Sequence, residues 1–149
     1  MAAMTRFLAV LATLAVGGLI AMQPPVNSEL GRRTSILGAA FISTAVSALV
    51  LLVLALVAGE LPQVRKIPHV SPIYLTGGLM GAALVSVSLV TVRTLGASGV
   101  VAATVTSQLV VSALLDKFGV LGLDRVGLSS NRLLGMALLL AGTALVTAR

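Results

Sequence analysis

Residues 36–57 read ILGAAFISTAVSALVLLVLALV and contain no charged side chain. A helix needs about 20 predominantly apolar residues to cross the hydrocarbon core of a bilayer. Lipid offers the backbone no hydrogen-bond partner, so a segment at that depth has to bond within itself as a helix. The stretch therefore predicts one membrane-spanning helix.

The composition of the whole chain agrees with a membrane environment. Of its 149 residues, 58% are hydrophobic and only 9% are charged, whereas a soluble domain carries about 25% charged residues. A soluble enzyme is excluded by this deficit, and a disordered chain is excluded because so apolar a coil could not stay solvated. The net charge of +6 comes from basic residues scattered in ones and twos. Such scattering is typical of anchors to anionic headgroups and not of a nucleic-acid-binding patch.

Side chains that support catalysis or a cofactor are scarce. The chain has no cysteine and a single histidine, His69, so it offers neither a thiolate nucleophile nor the usual three or four ligands of a zinc site. No nucleophile and base pair occurs at plausible spacing inside the apolar stretches. We therefore expect no enzymatic activity, no cofactor and no metal.

Four more apolar stretches resemble residues 36–57. Together the five predict an all-α integral membrane bundle with five transmembrane helices, in a single transmembrane domain over residues 1–149. The first stretch has an alternative interpretation as a secretory signal, because Arg6 precedes its apolar run, and cleavage would leave four helices. The predicted spans lie at about 7–30, 36–57, 73–92, 97–115 and 133–148.

The first span carries two amides where burial in lipid is costly. Gln23 and Asn27 are four residues apart and share a helix face, with Pro24 and Pro25 between them. Two consecutive prolines delete two backbone donors, and a helix interrupted at membrane depth is tolerated mainly where it lines a cavity. This pattern predicts a solute site of the kind many transporters build from a broken helix. The alternative is that the prolines end the helix at the membrane interface.

The fourth span carries a second polar stripe. Thr104, Gln108, Ser112 and Asp116 recur every four residues and form one slanted face. Such a face either packs against other helices through hydrogen bonds or lines a wet pathway. For Asp116 a surface ion pair with Lys117 is a further alternative.

The acidic residues all lie at span ends or in loops, and none lies near a span centre. Proton-coupled pumps generally keep a carboxylate or histidine inside the membrane. Any proton coupling here therefore falls to Asp116 or Glu29. The full set of acidic residues is Glu29, Glu60, Asp116 and Asp124.

Glycines at regular spacing predict close helix packing. Gly77 and Gly81 are four residues apart, and Gly135 and Gly142 are seven apart, so each pair lies on one helix face where neighbouring backbones approach closely. The partner is either another helix of the same protomer or a second protomer.

The distribution of basic residues gives only a weak topological preference. With five spans, six basic residues fall on the amino-terminal side and four on the other, whereas a firmly oriented protein shows a strong cytoplasmic excess. Such a chain can insert both ways round, and two copies can pair as an inverted repeat. The first group is Arg6, Arg65, Lys66, Lys117, Arg125 and Arg132; the second is Arg32, Arg33, Arg93 and Arg149.

In this order, the motifs resemble the YdcZ-like, five-span branch of the drug/metabolite transporter superfamily. The resemblance covers nearly the whole chain and implies a half-size transporter of a bacterial inner membrane, since larger members have ten spans in two inverted halves. Lys117 departs from the pattern, because a histidine is common after the aspartate. The matching segments are Gly17 through Gln23 to Asn27, Leu30-Gly31, 77–82, 95–97, Gln108 through 114–119 to Gly122, Ser129, 132–135 and Gly142.

Taken together, these features predict a multi-pass membrane transporter that works as an antiparallel homodimer, similar to a ten-span transporter. We expect it to move a small polar or amphipathic solute by alternating access. One alternative is a proton-coupled small multidrug exporter; another is a non-transporting membrane subunit or assembly factor whose polar stripes hold helices together. The predicted solute-binding residues are Gln23, Asn27, Thr104, Gln108 and Ser112.

Overall fold

A computed structural model describes residues 2–64, 66–120 and 124–148, except for the side chains of residues 2–6 and His69. Arg65, Gly122 and Arg149, which entered the charge count or the resemblance, lie outside the described residues, as does the Arg6 side chain. The described part of the chain is helical and contains no strand, which confirms the all-α prediction. Its α-helices are α1 (Ala2–Arg33), α2 (Ile36–Val57), α3 (Leu61–Val64), α4 (Thr76–Phe118) and α5 (Ser130–Thr147), and two short 3₁₀ helices, Ile67–His69 and Pro72–Leu75, precede α4.

Within the described residues, four helical segments are long and apolar enough to cross a membrane, where the sequence predicted five. The predicted spans 73–92 and 97–115 fall within one continuous segment, Pro72–Phe118. The two merge because the short sequence between them remains helical on both sides of a single interrupting residue. The other three segments are Phe7–Arg33, Ile36–Val57 and Ser130–Thr147.

Gly96 is the residue that interrupts α4. Its φ of 71° and ψ of 171° are non-helical and belong to a region that essentially only glycine adopts. A straight helix of 43 residues would measure about 65 Å, roughly twice the hydrocarbon thickness. Gly96 instead divides α4 into residues 76–95 and 97–118, each about as long as one membrane span.

The boundaries of α2 agree with the predicted span, and local capping explains them. The Ser35 side chain accepts a hydrogen bond of 3.0 Å from the Gly38 N–H at the start of the helix. At the end, Gly59 has a φ of 69°, and the Glu60 N–H donates to the Ala55 carbonyl at 2.9 Å. This arrangement is a glycine-terminated Schellman motif, which bonds carbonyls that the last turn leaves free.

The helix α1 runs through Pro24 and Pro25 without interruption. The prediction of a broken helix is therefore wrong, and so is the alternative that the prolines end it. Each proline removes a donor and costs about 3 kcal/mol in a helix interior. Unwinding the helix in hydrocarbon would leave still more backbone groups unbonded, so continuing it is the smaller cost.

The chain divides into two compact units at Arg93 and Thr94. The core of the first unit is small: Leu89 and Ala39 are fully buried beside Ala40. Gly31 permits this packing, because a Cβ at that position would lie only 3.2 Å from Leu89 Cδ2 and 3.6 Å from Ala39 Cβ. The carboxyl end of α1, the start of α2 and the first half of α4 thus meet around small residues, with Leu30 and Val85 at the periphery.

In the second unit, the second half of α4 packs against α5 through hydroxyl groups. The Oγ1 atoms of Thr106 and Thr143 are 2.6 Å apart, and Thr143 Oγ1 also donates to the Ala102 carbonyl at 3.1 Å. Gly99 lies on the same face, where an added Cβ would be 3.6 Å from Thr147 Cγ2. These contacts are the interhelical hydrogen bonds and small-residue packing expected in a membrane bundle.

The four glycines predicted to pack lie against nothing within their own units. A Cβ added at Gly77, Gly81, Gly135 or Gly142 would meet no atom of the described residues within 4 Å. Gly31 and Gly99 make the close approaches instead. Packing at the four predicted positions therefore remains a prediction for a surface outside the unit that carries each pair.

We predict that Gly96→Ala lowers the free energy of unfolding by about 1–3 kcal/mol, because the added Cβ is strained in this backbone conformation. Gly78→Ala is the matched control: it lies in the same helix, in open space, and should change stability by less than about 1 kcal/mol. Melting temperatures of the purified variants in detergent, followed by circular dichroism, measure the difference. Equal melting temperatures for the two variants would contradict the assigned break at Gly96.

Candidate functional site

Among the predicted solute-binding residues, Asn27 is the one whose side chain is buried with an unbonded nitrogen. It is only 6% exposed, and its Nδ2 has no hydrogen-bond partner among the described residues. Gln23 is half-buried one turn earlier, next to the buried Pro24. An unbonded buried amide costs a few kcal/mol, so this face of α1 favours a polar partner.

Beside Asn27, Ser28 holds an arginine from α4. Arg93 Nε donates to Ser28 Oγ at 3.0 Å, and an Arg93 Nη donates to the Ser28 carbonyl at 3.2 Å. Ser28 is 6% exposed, whereas Arg93 remains exposed. The guanidinium therefore joins two helices of the first unit while part of it faces outward.

The same arginine borders a cleft, which we call the Arg93 cleft. Its volume is about 230 Å³. It lies beside the carboxyl end of α1, and Glu29 is the only predicted site residue in its wall; Gln23 and Asn27 are not part of it. The lining residues are Pro25, Ser28, Glu29, Arg32, Val92 and Arg93.

The carboxylate of Glu29 pairs with arginines of its own helix. Its oxygens lie 3.6 Å from an Nη of Arg32 and 3.3 Å from Nε of Arg33. All three side chains are more than half exposed, so these ion pairs contribute little to stability. Glu29 thus lies at the end of α1 in a surface network.

Three of the four residues of the stripe predicted on the fourth span have no side-chain partner on another helix in the described part of the second unit. Gln108 and Ser112 are exposed. Thr104 is half-buried, and its hydroxyl donates to the Val100 carbonyl of its own helix. Thr106, which the sequence analysis did not single out, faces α5 instead. In the described part of the second unit, the first three residues of the stripe, Thr104, Gln108 and Ser112, therefore form no side-chain hydrogen bond to α5.

Asp116, at the end of the stripe, pairs with Arg132 and not with Lys117. An Nη of Arg132 lies 2.5 Å from Asp116 Oδ2, with the side chains 34% and 26% exposed, respectively. The Val126 N–H donates to the Asp116 carbonyl at 2.9 Å, so this residue also anchors the chain between α4 and α5. Lys117 Nζ lies 5.7 Å from the centroid of the Phe118 ring instead.

The structure brings some predicted residues together and adds others. Gln23 and Asn27 lie one turn apart on α1, and the stripe residues follow one another along α4. Their roles in solute binding and proton coupling remain predictions. The described residues contain no group of three or more potential metal ligands among His, Asp and Glu. The residues that sequence reasoning missed are Ser28, Arg93, Thr106 and Arg132.

We predict that Asp116→Asn destabilises the protein by about 1–3 kcal/mol, because it leaves the partly buried Arg132 guanidinium without its countercharge. Asp124→Asn, in the exposed chain between α4 and α5, should stay within about 0.5 kcal/mol. Melting temperatures in detergent measure both. Adding Arg132→Gln to Asp116→Asn should recover part of the loss, and strictly additive effects would refute the coupling.

Comparison with known proteins identifies the family. The chain matches the family model described as "Putative inner membrane exporter, YdcZ" over residues 8–145, which is nearly its whole length. No curated protein and no solved structure matches it. The match confirms the resemblance carried by the motifs, and the apolar helices agree with the membrane location that the family description gives. The chain is an integral inner membrane protein and belongs to the YdcZ family of the drug/metabolite transporter superfamily.

Proposed function

We propose that this chain is one half of an exporter that assembles from two antiparallel copies. Each copy would cross the membrane five times, with residues 76–95 and 97–118 of α4 forming separate crossings on either side of Gly96. The pair would export a small polar or amphipathic solute by alternating access at the interface between the copies. The family supports membrane export in general; the assembly and the solute are the proposal.

The exposed polar face of α4 is the observation that carries this proposal. Gln108 and Ser112 lie on an apolar helix and are exposed, because no described residue of the second unit buries them. An amide that faces lipid is costly, so this face requires either a partner surface or water. A second copy that covers the face and leaves a wet cavity beside it provides both.

The chemistry of the proposed cavity favours a solute without strong net charge. Gln23, Asn27 and Gln108 supply amide hydrogen bonds and no fixed charge, while the hydroxyl of Thr104 is already bonded to its own helix. The unbonded Nδ2 of Asn27 is a donor suited to a solute oxygen. We therefore propose a neutral or zwitterionic solute.

No contact in the described residues specifically favours the proton-coupled exporter. Both candidate carboxylates, Glu29 and Asp116, form ion pairs with arginines. The non-transporting subunit remains the main alternative, because polar residues that hold helices together would also lie on an otherwise apolar helix.

We predict that Gln108→Leu abolishes export while the dimer persists in detergent. Everted membrane vesicles from cells that produce the protein, supplied with radiolabelled neutral and zwitterionic metabolites, measure transport; crosslinking of the purified chain measures the dimer. Gln63→Leu makes the same chemical change at an exposed position of α3 and should leave both intact. If Gln108→Leu instead loses the dimer in detergent, Gln108 is a packing residue, and this result would support the non-transporting subunit.

We further predict that each terminus of the chain is accessible from both sides of the membrane. The weak charge asymmetry does not fix one orientation, and an antiparallel pair needs both. Tags at the two termini, labelled with an impermeant reagent in intact cells and in everted vesicles, measure this. A single fixed orientation would overturn the antiparallel homodimer and leave membership of the exporter family unaffected.

A further inference from the structure

We propose that the Arg93 cleft binds the phosphate of an anionic phospholipid headgroup. This site is separate from the proposed solute cavity, which contains none of its lining residues. Five observations support it: the fixed position of Arg93, its free donors, the charge of the cleft, its size and the apolar surface beside it.

The guanidinium of Arg93 is held in place and still has donors to offer. Two of its nitrogens bond to Ser28, and Ser28 is itself buried. An arginine side chain carries five N–H donors, so about three remain for another acceptor. A planar guanidinium with paired donors matches the geometry of a phosphate oxyanion, and its prior fixation reduces the entropy lost on binding.

The charge of the cleft is net positive after its internal ion pairs are counted. Arg32 and Arg93 line it, with Glu29 as the acidic residue in its wall. Glu29 already lies within 3.6 Å of Arg32 and 3.3 Å of Arg33, while no carboxylate in the described part of the chain pairs with Arg93. The carboxyl end of α1 contributes a partial negative charge, which these arginines exceed. An anionic group is therefore attracted here.

The size of the cleft limits what enters it. Small-molecule sites usually have volumes of about 300–1,000 Å³, and the 230 Å³ of this cleft is smaller. One headgroup phosphate can enter, whereas the rest of a larger ligand must lie outside the cleft.

The surface beside the cleft favours a lipid as the source of that phosphate. Pro25 and Val92 form apolar parts of the wall, and Pro25 is exposed. Its neighbours on α1, Met22 and Val26, are each 61% exposed on a helix long and apolar enough to span the membrane. Acyl chains can follow this surface from a headgroup in the cleft, as lipids do at basic pockets between membrane helices. Inorganic phosphate has no acyl chain, so the apolar surface would add nothing to its affinity.

Binding to the purified full-length chain in detergent tests the proposal. The chain, labelled at its amino terminus, is titrated with dioleoyl phosphatidylglycerol, with dioleoyl phosphatidylcholine or with inorganic phosphate, and the Kd is measured by microscale thermophoresis. We expect phosphatidylglycerol to bind about tenfold more tightly than phosphatidylcholine, because both carry the phosphate but the ammonium group of choline is repelled by Arg32 and Arg93. Inorganic phosphate should bind weakly and should not compete at equal concentration.

Three glutamine variants localise the binding. Arg93→Gln should weaken the affinity for phosphatidylglycerol about tenfold, and Arg32→Gln should weaken it several-fold. Arg125→Gln is the matched control, because it removes the same charge from an exposed position that does not line the cleft, and it should change the Kd by less than about twofold. Arg32 pairs only along its own helix, so its variant remains informative if Arg93→Gln fails to fold.

Three results would overturn the proposal. Equal affinity for the two lipids would overturn the anionic headgroup as the ligand, because both lipids carry the phosphate and only phosphatidylcholine carries a compensating ammonium group. Equal losses in all three variants would mean nonspecific attraction to a basic surface. Tight binding of inorganic phosphate that depends on Arg93 would retain the oxyanion site and overturn the lipid as its source. None of these results bears on export, which is measured separately in vesicles.

Discussion

The structure depends on one constraint: inside hydrocarbon, every polar group of the chain must find its partner within the protein. The helices satisfy this for the backbone. Hydroxyl side chains follow the same rule locally, because Thr and Ser donate to the carbonyl one turn earlier in their own helix. Thr13, Thr44, Ser86, Thr91 and Thr147 all do so. Amides and guanidinium groups have more donors than their own helix can satisfy, so they need hydrogen-bond partners on other helices, in another copy or in a solute.

This constraint explains which parts of the fold the sequence predicts. Residues 36–57 form α2 as predicted, because apolar length sets the span while Ser35 and Gly59 set its ends. The prolines of α1 led to a wrong prediction of a helix break. Proline alone disfavours a helix, but unwinding the helix in lipid would cost more free energy. The sequence predicts separate third and fourth spans at about 73–92 and 97–115. In the structure Gly96 alone separates these two spans, because one residue at positive φ is enough to interrupt the helix.

The candidate site is less predictable, for a geometric reason. Periodicity along one helix places Gln23 with Asn27 and orders the stripe from Thr104 to Asp116, but it does not reveal which residue of another helix arrives beside them. Arg93 bonds to Ser28 across 65 positions of sequence. The bond between Thr106 and Thr143 spans 37 positions. Neither contact leaves a pattern in a single sequence, and the sequence analysis therefore counted Arg93 only among the basic residues that bear on topology.

In lipid, apolar surface contributes little to holding helices together, because the surrounding chains are equally apolar. Specific polar contacts and small residues must do so instead. In the described residues, Arg93 with Ser28, Thr106 with Thr143, and Asp116 with Arg132 are such contacts within the units. A polar side chain that joins two segments of one unit is explained by structure alone. Gln108, Ser112 and the Nδ2 of Asn27 form no such contact in the described part of the chain. We therefore expect the transported solute and the second copy to bind at these groups.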